Sequence, residues 1–512
     1  MINPPLLKRE KLSVAEIETL DRISQLPDAL LVQILSLLPT KDAFTTCVLS
    51  KRWHFLWTFV YNLIFTQKSY RDFYEPVVSR DENCSLKIEK FVSFVNHVLN
   101  GFVSSKITKF ELDATQLFTY TSQIKRWLSF AVEREVKHVV FLSSYTHACV
   151  LPESFCNCSS LITLYLRQCC FNDAVIVWKF LKSLKLESVI LKDDEILNLL
   201  SGCPALERME LDDVGGFRCL KINSSKFKRL DLKNHRLPHD ISDRSLEIYA
   251  PYLEHLEISG DLGDLQCRLV DVSSLVNAKV NFYISCIKHI RHEREEFISV
   301  DDYSCHDYHQ SFSILARDYL QKLSCATELT IGSWFTEVPC MWQFNGLLVP
   351  ELKCKYLTLE LCLENFDLNG VAGLLGALPH VETLNIYLTE NLLDNYFCDF
   401  EENNTDLQSW ISSIVFPNLK NITIVNSILV CLNRQKRKWG FRRLVKLSQL
   451  LLKKATILKK FLVISKSRMC KKCKKCLTNC WCNFFSDLFD KLYLSRYPTN
   501  AKFTFEDQVF RD

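Results

Sequence analysis

The chain has 512 residues, 48% of them hydrophobic and 24% charged, and its 63 lysines and arginines against 59 acids leave a net charge of +4. This is ordinary globular composition, with room for roughly two to four domains, and it excludes a disordered or fibrous chain. No apolar run reaches the ~18 residues that a membrane span needs, and the opening MINPPLLKREKL lacks the longer apolar segment of a secretory signal.

The first informative stretch runs from Asp21 to Trp57. Leu30, Leu31, Ile34, Leu35, Leu37 and Leu38 recur at helical spacing, and at ~100° per residue they cover an arc of roughly 160°. Burying a leucine is worth ~1.5–3 kcal/mol, so so wide an arc on a short helix calls for both a core and a partner. The punctuation predicts three short helices. Pro27 opens the first, Pro39 with Thr40 stops it and caps the second, and Ser50 caps a third that carries Lys51, Arg52 and Trp53.

The words LPDALLVQILSLLPTKDA and VLSKRWHFLW in this stretch resemble an F-box of the plant type, placed at residues 19–66. The resemblance implies docking on a Skp-family adaptor and, through it, a cullin. Leu26, Pro27, Leu31, Ile34, Leu38, Leu49, Ser50, Arg52 and Trp53 then form the adaptor-facing or supporting set. Periodicity alone does not divide so wide an arc between core and partner. On this reading Leu31→Asp is expected to abolish adaptor binding by placing an unpaired charge in a desolvated interface.

From about Ile107 to Ile424 an L-x-x-L-x-L pattern returns, with copies beginning at Ile107, Val136, Leu161, Leu181, Leu206, Phe227, Leu253, Leu275, Ala326, Cys354, Val381 and Leu419. Most begin about 20–29 residues apart, the leucine-rich-repeat range; the gaps after Leu275 and Val381 are longer. In each copy the last two apolar residues share one face of a strand and the residue between them points outward. Stretches such as Asp194 to Pro204 have the helical spacing expected of the coil's other side. Repeats are assigned to 100–430, and the outward row Tyr165, Lys185, Glu210, Asp231, Glu257 and Lys279 is the default concave binding surface. Cys169, Val189, Val214 and His235 stand where regular repeats carry asparagine, a departure that resembles the degenerate repeats of plant F-box proteins.

Between Arg434 and Lys475 there are 17 lysines and arginines and no acid, so the remainder of the chain is net acidic. The leucines interleaved there predict a helix followed by a strand. Three readings of the basic run stay open: a solvated helix face, a patch for nuclear import or an acidic partner, and a membrane-surface or calmodulin-like helix. The words LLKKATILKKFLVIS and FDKLYLSRYPTNAKFTF resemble the FBD domain, assigned to 431–512 with a cysteine-rich insertion. Specific nucleic-acid binding is not predicted, because the domain is not basic throughout and stacking aromatics are few in the run.

Twenty-three cysteines scattered along a long chain read as reduced, buried, small apolar residues. Cys470, Cys473, Cys476, Cys480 and Cys482 approach the spacing of an iron–sulfur run, but Trp481 stands where a proline is usual. Cys286, His289, His292, Cys305, His306 and His309 fit several zinc schemes without favouring one. Neither is assigned a metal, no cofactor is expected, and the signatures of phosphate cradles and common hydrolases are absent from the sequence.

The expected fold is α/β: a three-helix F-box, a degenerate leucine-rich-repeat solenoid and an FBD-like α/β cap. The resemblance implies a non-catalytic substrate receptor of a Skp–cullin–F-box ubiquitin ligase, cytoplasmic or nuclear, with an unknown target protein. The alternative is a repeat scaffold acting outside a ligase, and an enzyme built on the cysteine run is a third.

Overall fold

The computed structural model describes residues 23, 25–66, 82–144, 148–172, 174–235, 245–262, 266–283, 316–332, 335, 352–362, 368–376, 378–389, 415–426, 434–467, 490–492 and 501–509. Both metal candidates, Cys286 to His309 and Cys470 to Cys482, lie outside the described residues. No helix among the described residues is long and apolar enough to cross a membrane. The chain divides into two compact units, Met1–Leu164 and Tyr165–Asp512.

The first unit opens with helices α1 (Asp28–Ser36) and α2 (Thr40–Thr45), a short turn Thr46–Val48 and a 3-10 helix Trp53–Phe59. Strand β1 (Asn62–Phe65), helix α3 (Glu82–Gly101), strand β2 (Lys109–Asp113), helix α4 (Thr121–Glu133) and strand β3 (His138–Leu142) follow. Pro27 and Pro39 stand at the N-caps of α1 and α2 in extended conformation, and no side chain closes either helix. Capping by Thr40 and Ser50 is therefore corrected. The Thr40 hydroxyl is taken by the Ile64 amide at 2.6 Å, and the third helix is a 3-10 segment with Arg52 at its N-cap and no side-chain cap.

Leu31, Leu35, Ala43, Trp53, Leu56 and Trp57 fill the space between these helices. The Trp57 ring meets Phe44 edge-on at 5.1 Å and stacks on His97 at 6.4 Å. A Cβ at Gly101 would lie 2.9 Å from that ring, so a larger residue at the end of α3 would have to displace the tryptophan.

Two buried hydroxyls join the helices to β1. Ser36 donates to the Val32 carbonyl at 2.7 Å and accepts the Tyr61 amide at 3.2 Å, while Asn62 donates to the Ser36 carbonyl at 2.9 Å. With the Thr40–Ile64 bond, this satisfies polar groups that would otherwise be costly to bury. β1, β2 and β3 run parallel, with Asn62 beside Lys109 and Lys109 beside His138. Val60, Leu63 and Phe65 thus form a first copy of the L-x-x-L-x-L unit, one that the sequence reading did not count.

The second unit is a longer array. Strands β4 (Thr163–Arg167), β5 (Ser183–Glu187), β6 (Arg208–Asp212), β7 (Arg229–Lys233), β8 (His255–Asp261), β9 (Asn277–Tyr283), β10 (Glu328–Gly332), β11 (Tyr356–Cys362), β12 (Thr383–Thr389) and β13 (Asn421–Asn426) lie side by side in chain order. Strands β14 (Lys460–Ser467) and β15 (Lys502–Val509) continue the same parallel sheet. Every copy counted in the sequence delivers a strand that begins two residues after its first apolar position. Alternation is as expected: in β5, Leu184 and Leu186 are buried and Lys185 faces out. Helix α5 (Asp193–Gly202) forms the predicted other side of one coil. A second parallel sheet, Gln266–Asp271, Ser245–Tyr249 and Cys219–Lys221, backs others. The basic run begins as helix α6 (Arg434–Lys454), which buries Leu444, Leu447 and Leu451, and the strand predicted after it is β14.

Candidate functional site

The apolar arc of α1 is divided between two faces. Leu31 and Leu35, 0% and 1% exposed, point into the module, whereas Leu30, Ile34 and Leu37 stand 43%, 44% and 76% exposed. The outward three are spaced by four and three residues, one helix face. Val48, Leu49, Phe55 and Phe59 are exposed as well. Arg52 brings their segment to the start of α1: its guanidinium donates to Asp28 at 2.8 Å and to the Leu26 carbonyl. Exposed apolar side chains in this number on so small a module make it a candidate interaction surface.

Of the nine residues singled out from sequence, Ile34 and Leu49 present apolar surface, and Pro27 and Ser50 are also exposed. Leu26 and Leu38 are half-buried. Leu31 and Trp53 are core, the supporting part of that set: their side chains pack between α1 and the 3-10 helix. Leu31→Asp would bury a charge in that core and unfold the module rather than test its outer face. Arg52 clamps two helices. Leu30, Leu37, Val48, Phe55 and Phe59 are exposed too and were not among the nine; Leu30–Ile34–Leu37 was visible as an i, i+4, i+7 run.

A second surface is the open face of the sheet in the second unit. Its central column, Lys185, Glu210, Asp231, Glu257 and Lys279, is aligned strand to strand. The charges neutralise one another. Lys185 reaches Glu210 at 3.0 Å, Lys233 reaches Glu210 at 3.5 Å, Arg229 reaches Asp231 at 2.9 Å and Lys279 reaches Glu360 at 3.1 Å. Lys185 also lies 4.9 Å over the Tyr165 ring, and the Tyr165 hydroxyl donates to Glu187. Burial pushes the Glu210 carboxyl up, but hydrogen bonding and charge from Lys185, with Lys233, outweigh it and leave it below the ordinary carboxylate range. The hydrogen bond to Asp231 raises the Arg229 guanidinium. Asp231, expected to point outward, is 5% exposed, with Arg229 paired to it.

Toward the C-terminal strands the central column changes to Thr330, Thr358, Asn385 and Thr423. These side chains carry no charge and offer donors and acceptors. No group of three or more His, Cys, Asp or Glu side chains suited to a metal occurs among the described residues.

Known families match the sequence that carries the N-terminal module and part of the repeats. The F-box domain model matches residues 23–65, and a model described as the leucine-rich repeats of FBD-associated F-box protein At5g56370 matches residues 124–280. The F-box/LRR-repeat protein At5g02910 of Arabidopsis thaliana is 30% identical over 427 residues, 80% of this chain and 83% of the relative. The putative F-box/LRR-repeat protein At3g18150 of the same plant is 29% identical over 374 residues, 72% of each chain. The F-box/FBD/LRR-repeat protein At2g26030, also from that plant, is 29% identical over 322 residues, 56% of this chain and 69% of the relative.

Proposed function

Since the chain belongs to the plant F-box/FBD/leucine-rich-repeat family, we propose that it is the substrate-recognition subunit of a Skp–cullin–F-box ubiquitin ligase. The observation that carries this reading is the exposed apolar face of Leu30, Ile34, Leu37, Val48 and Leu49 on a module whose own core is already filled. F-box domains typically bind Skp-family adaptors, and a desolvating apolar face with few charges is what such docking needs. A cullin joins through the adaptor.

The target is a protein held on the open face of the repeats. The receptor contributes no reacting group; it raises the effective concentration of target lysines near the transfer centre. It acts in the cytoplasm or nucleus, where the ligase and its targets meet.

The test is proximity labelling in plant cells with the intact chain and with an Ile34→Asp, Leu49→Asp variant. The intact chain should co-purify with a cullin. A small set of labelled neighbours should accumulate only when the variant replaces it. Adaptor binding without any cullin, and with no neighbour changing in abundance, would instead identify a scaffold acting outside a ligase.

A further inference from the structure

The residues just before the strands of the second unit form a column joined from rung to rung. The Glu207 amide bonds to the Lys182 carbonyl at 2.9 Å, the Lys228 amide to Glu207 at 2.8 Å and the Glu254 amide to Lys228 at 3.0 Å. Their side chains alternate in sign, with Lys182–Glu207 paired at 2.9 Å and Lys228–Glu254 at 2.7 Å. The alternation resumes at Lys355, Glu382 and Lys420, where Lys420 meets Glu382 at 2.6 Å. It then stops.

The next member is Lys459, whose amide bonds to the Lys420 carbonyl at 2.7 Å, and the Lys502 amide bonds to Lys459 at 2.8 Å. Lys460 and Lys502 are register partners on β14 and β15, and Lys453 lies in the last turn of α6. All four of Lys453, Lys459, Lys460 and Lys502 are exposed, and none makes an ion pair among the described residues. Neighbouring strands are only ~4.8 Å apart, so like charges in register repel. The self-neutralising column thus ends on Lys459, and one residue further on, in the adjoining row, Lys460 and Lys502 face each other with no acid between them.

The surroundings select the partner. Val415 and Ile457 are exposed beside the lysines, and the Phe416 amide, bonded to the Lys454 carbonyl at 3.1 Å, fixes Val415 next to the end of α6. Lysine is a compact point charge rather than a fork for phosphate, and the described part of this patch exposes no aromatic ring on which a base would stack. From this charge complementarity, we propose that the edge formed by Lys453, Lys459, Lys460 and Lys502 docks an acidic peptide segment whose apolar side chain seats against Ile457 and Val415. This surface does not depend on adaptor docking.

The test is fluorescence anisotropy on the full chain with a labelled peptide of about twelve residues alternating Glu, Asp and Leu. Oligouridylate of equal length and anionic vesicles serve as competing probes. Lys459→Glu with Lys460→Glu should weaken the peptide about tenfold or more, and added salt should weaken the wild type similarly. Lys182→Glu, the same charge change in the balanced part of the column, should leave binding unchanged. If the double variant melts early, Lys502→Glu alone serves, with the same loss expected. No binding to the wild type, equal affinity in the variants, or tighter binding of RNA or vesicles that is lost in the same variants would overturn the proposal.

Discussion

His235 is wholly buried against Phe217, whose ring lies 4.9 Å away. Neither imidazole nitrogen has a hydrogen-bond partner; both stay near the backbone of Val214 and Phe217 without bonding geometry. Burial in apolar surroundings lowers its pKa from 6.5 to about 4. The sign follows. The unfolded chain binds the proton more readily, so stability is full above about pH 6.5 and declines as pH falls toward 4. At pH 5 the loss is about 2 kcal/mol. Urea midpoints at neutral pH and at pH 5 should differ in the wild type and differ much less in His235→Asn; an equal difference in both would reject the assignment. The position was legible as the place where regular repeats carry asparagine, but its burial was not. The buried thiols behave in the same way: burial pushes Cys203, Cys267 and Cys354 up to about 12, so they are held as inert apolar side chains, as cysteine usage suggested.

Helix α5 shows how an element's packing overrides its propensity. Gly202 ends the helix, and alanine is ordinarily the better helix former by up to ~1 kcal/mol. Here a Cβ would sit 2.1 Å from the Ile176 carbonyl oxygen, a backbone atom with little room to yield. Gly202→Ala should therefore lower stability by about 1–3 kcal/mol, read as an earlier thermal melt. A later melt would show that the coil relaxes around the methyl. The repeat strands were legible because each buries two residues two apart, a signal that survives irregular spacing. The rungs at each end were harder to see. Val60–Leu63–Phe65 follows directly on the helical stretch within the range given to the F-box, and Leu458–Phe461–Val463 was read as a strand after a basic helix but not as a further repeat copy. The division of α1 was not legible either. Periodicity places a residue around the helix axis, and only the packing of Trp53 and Trp57 decides which part of the arc is covered.

At the scale of the whole first unit, the N-terminal helices are hydrogen-bonded to that unit's own sheet. Ser36 and Thr40 tie its helices to β1, the first rung of the first unit's sheet. Its inward apolar residues fill its own core, and Leu30, Ile34, Leu37 and Leu49 stay exposed. Substitutions at the buried Leu31 and at the exposed Ile34 and Leu49 therefore act differently: the first unfolds the module, the others change only its surface. Calorimetric titration of a recombinant Skp-family adaptor into the full chain and into Ile34→Asp, Leu49→Asp tests this difference most directly, with thermal melts run on both. The prediction is adaptor binding by the wild type and its loss in the variant, at least about a hundredfold in affinity, with the melt unchanged. A folded variant that keeps the wild-type affinity would contradict the assignment of this face as the docking surface.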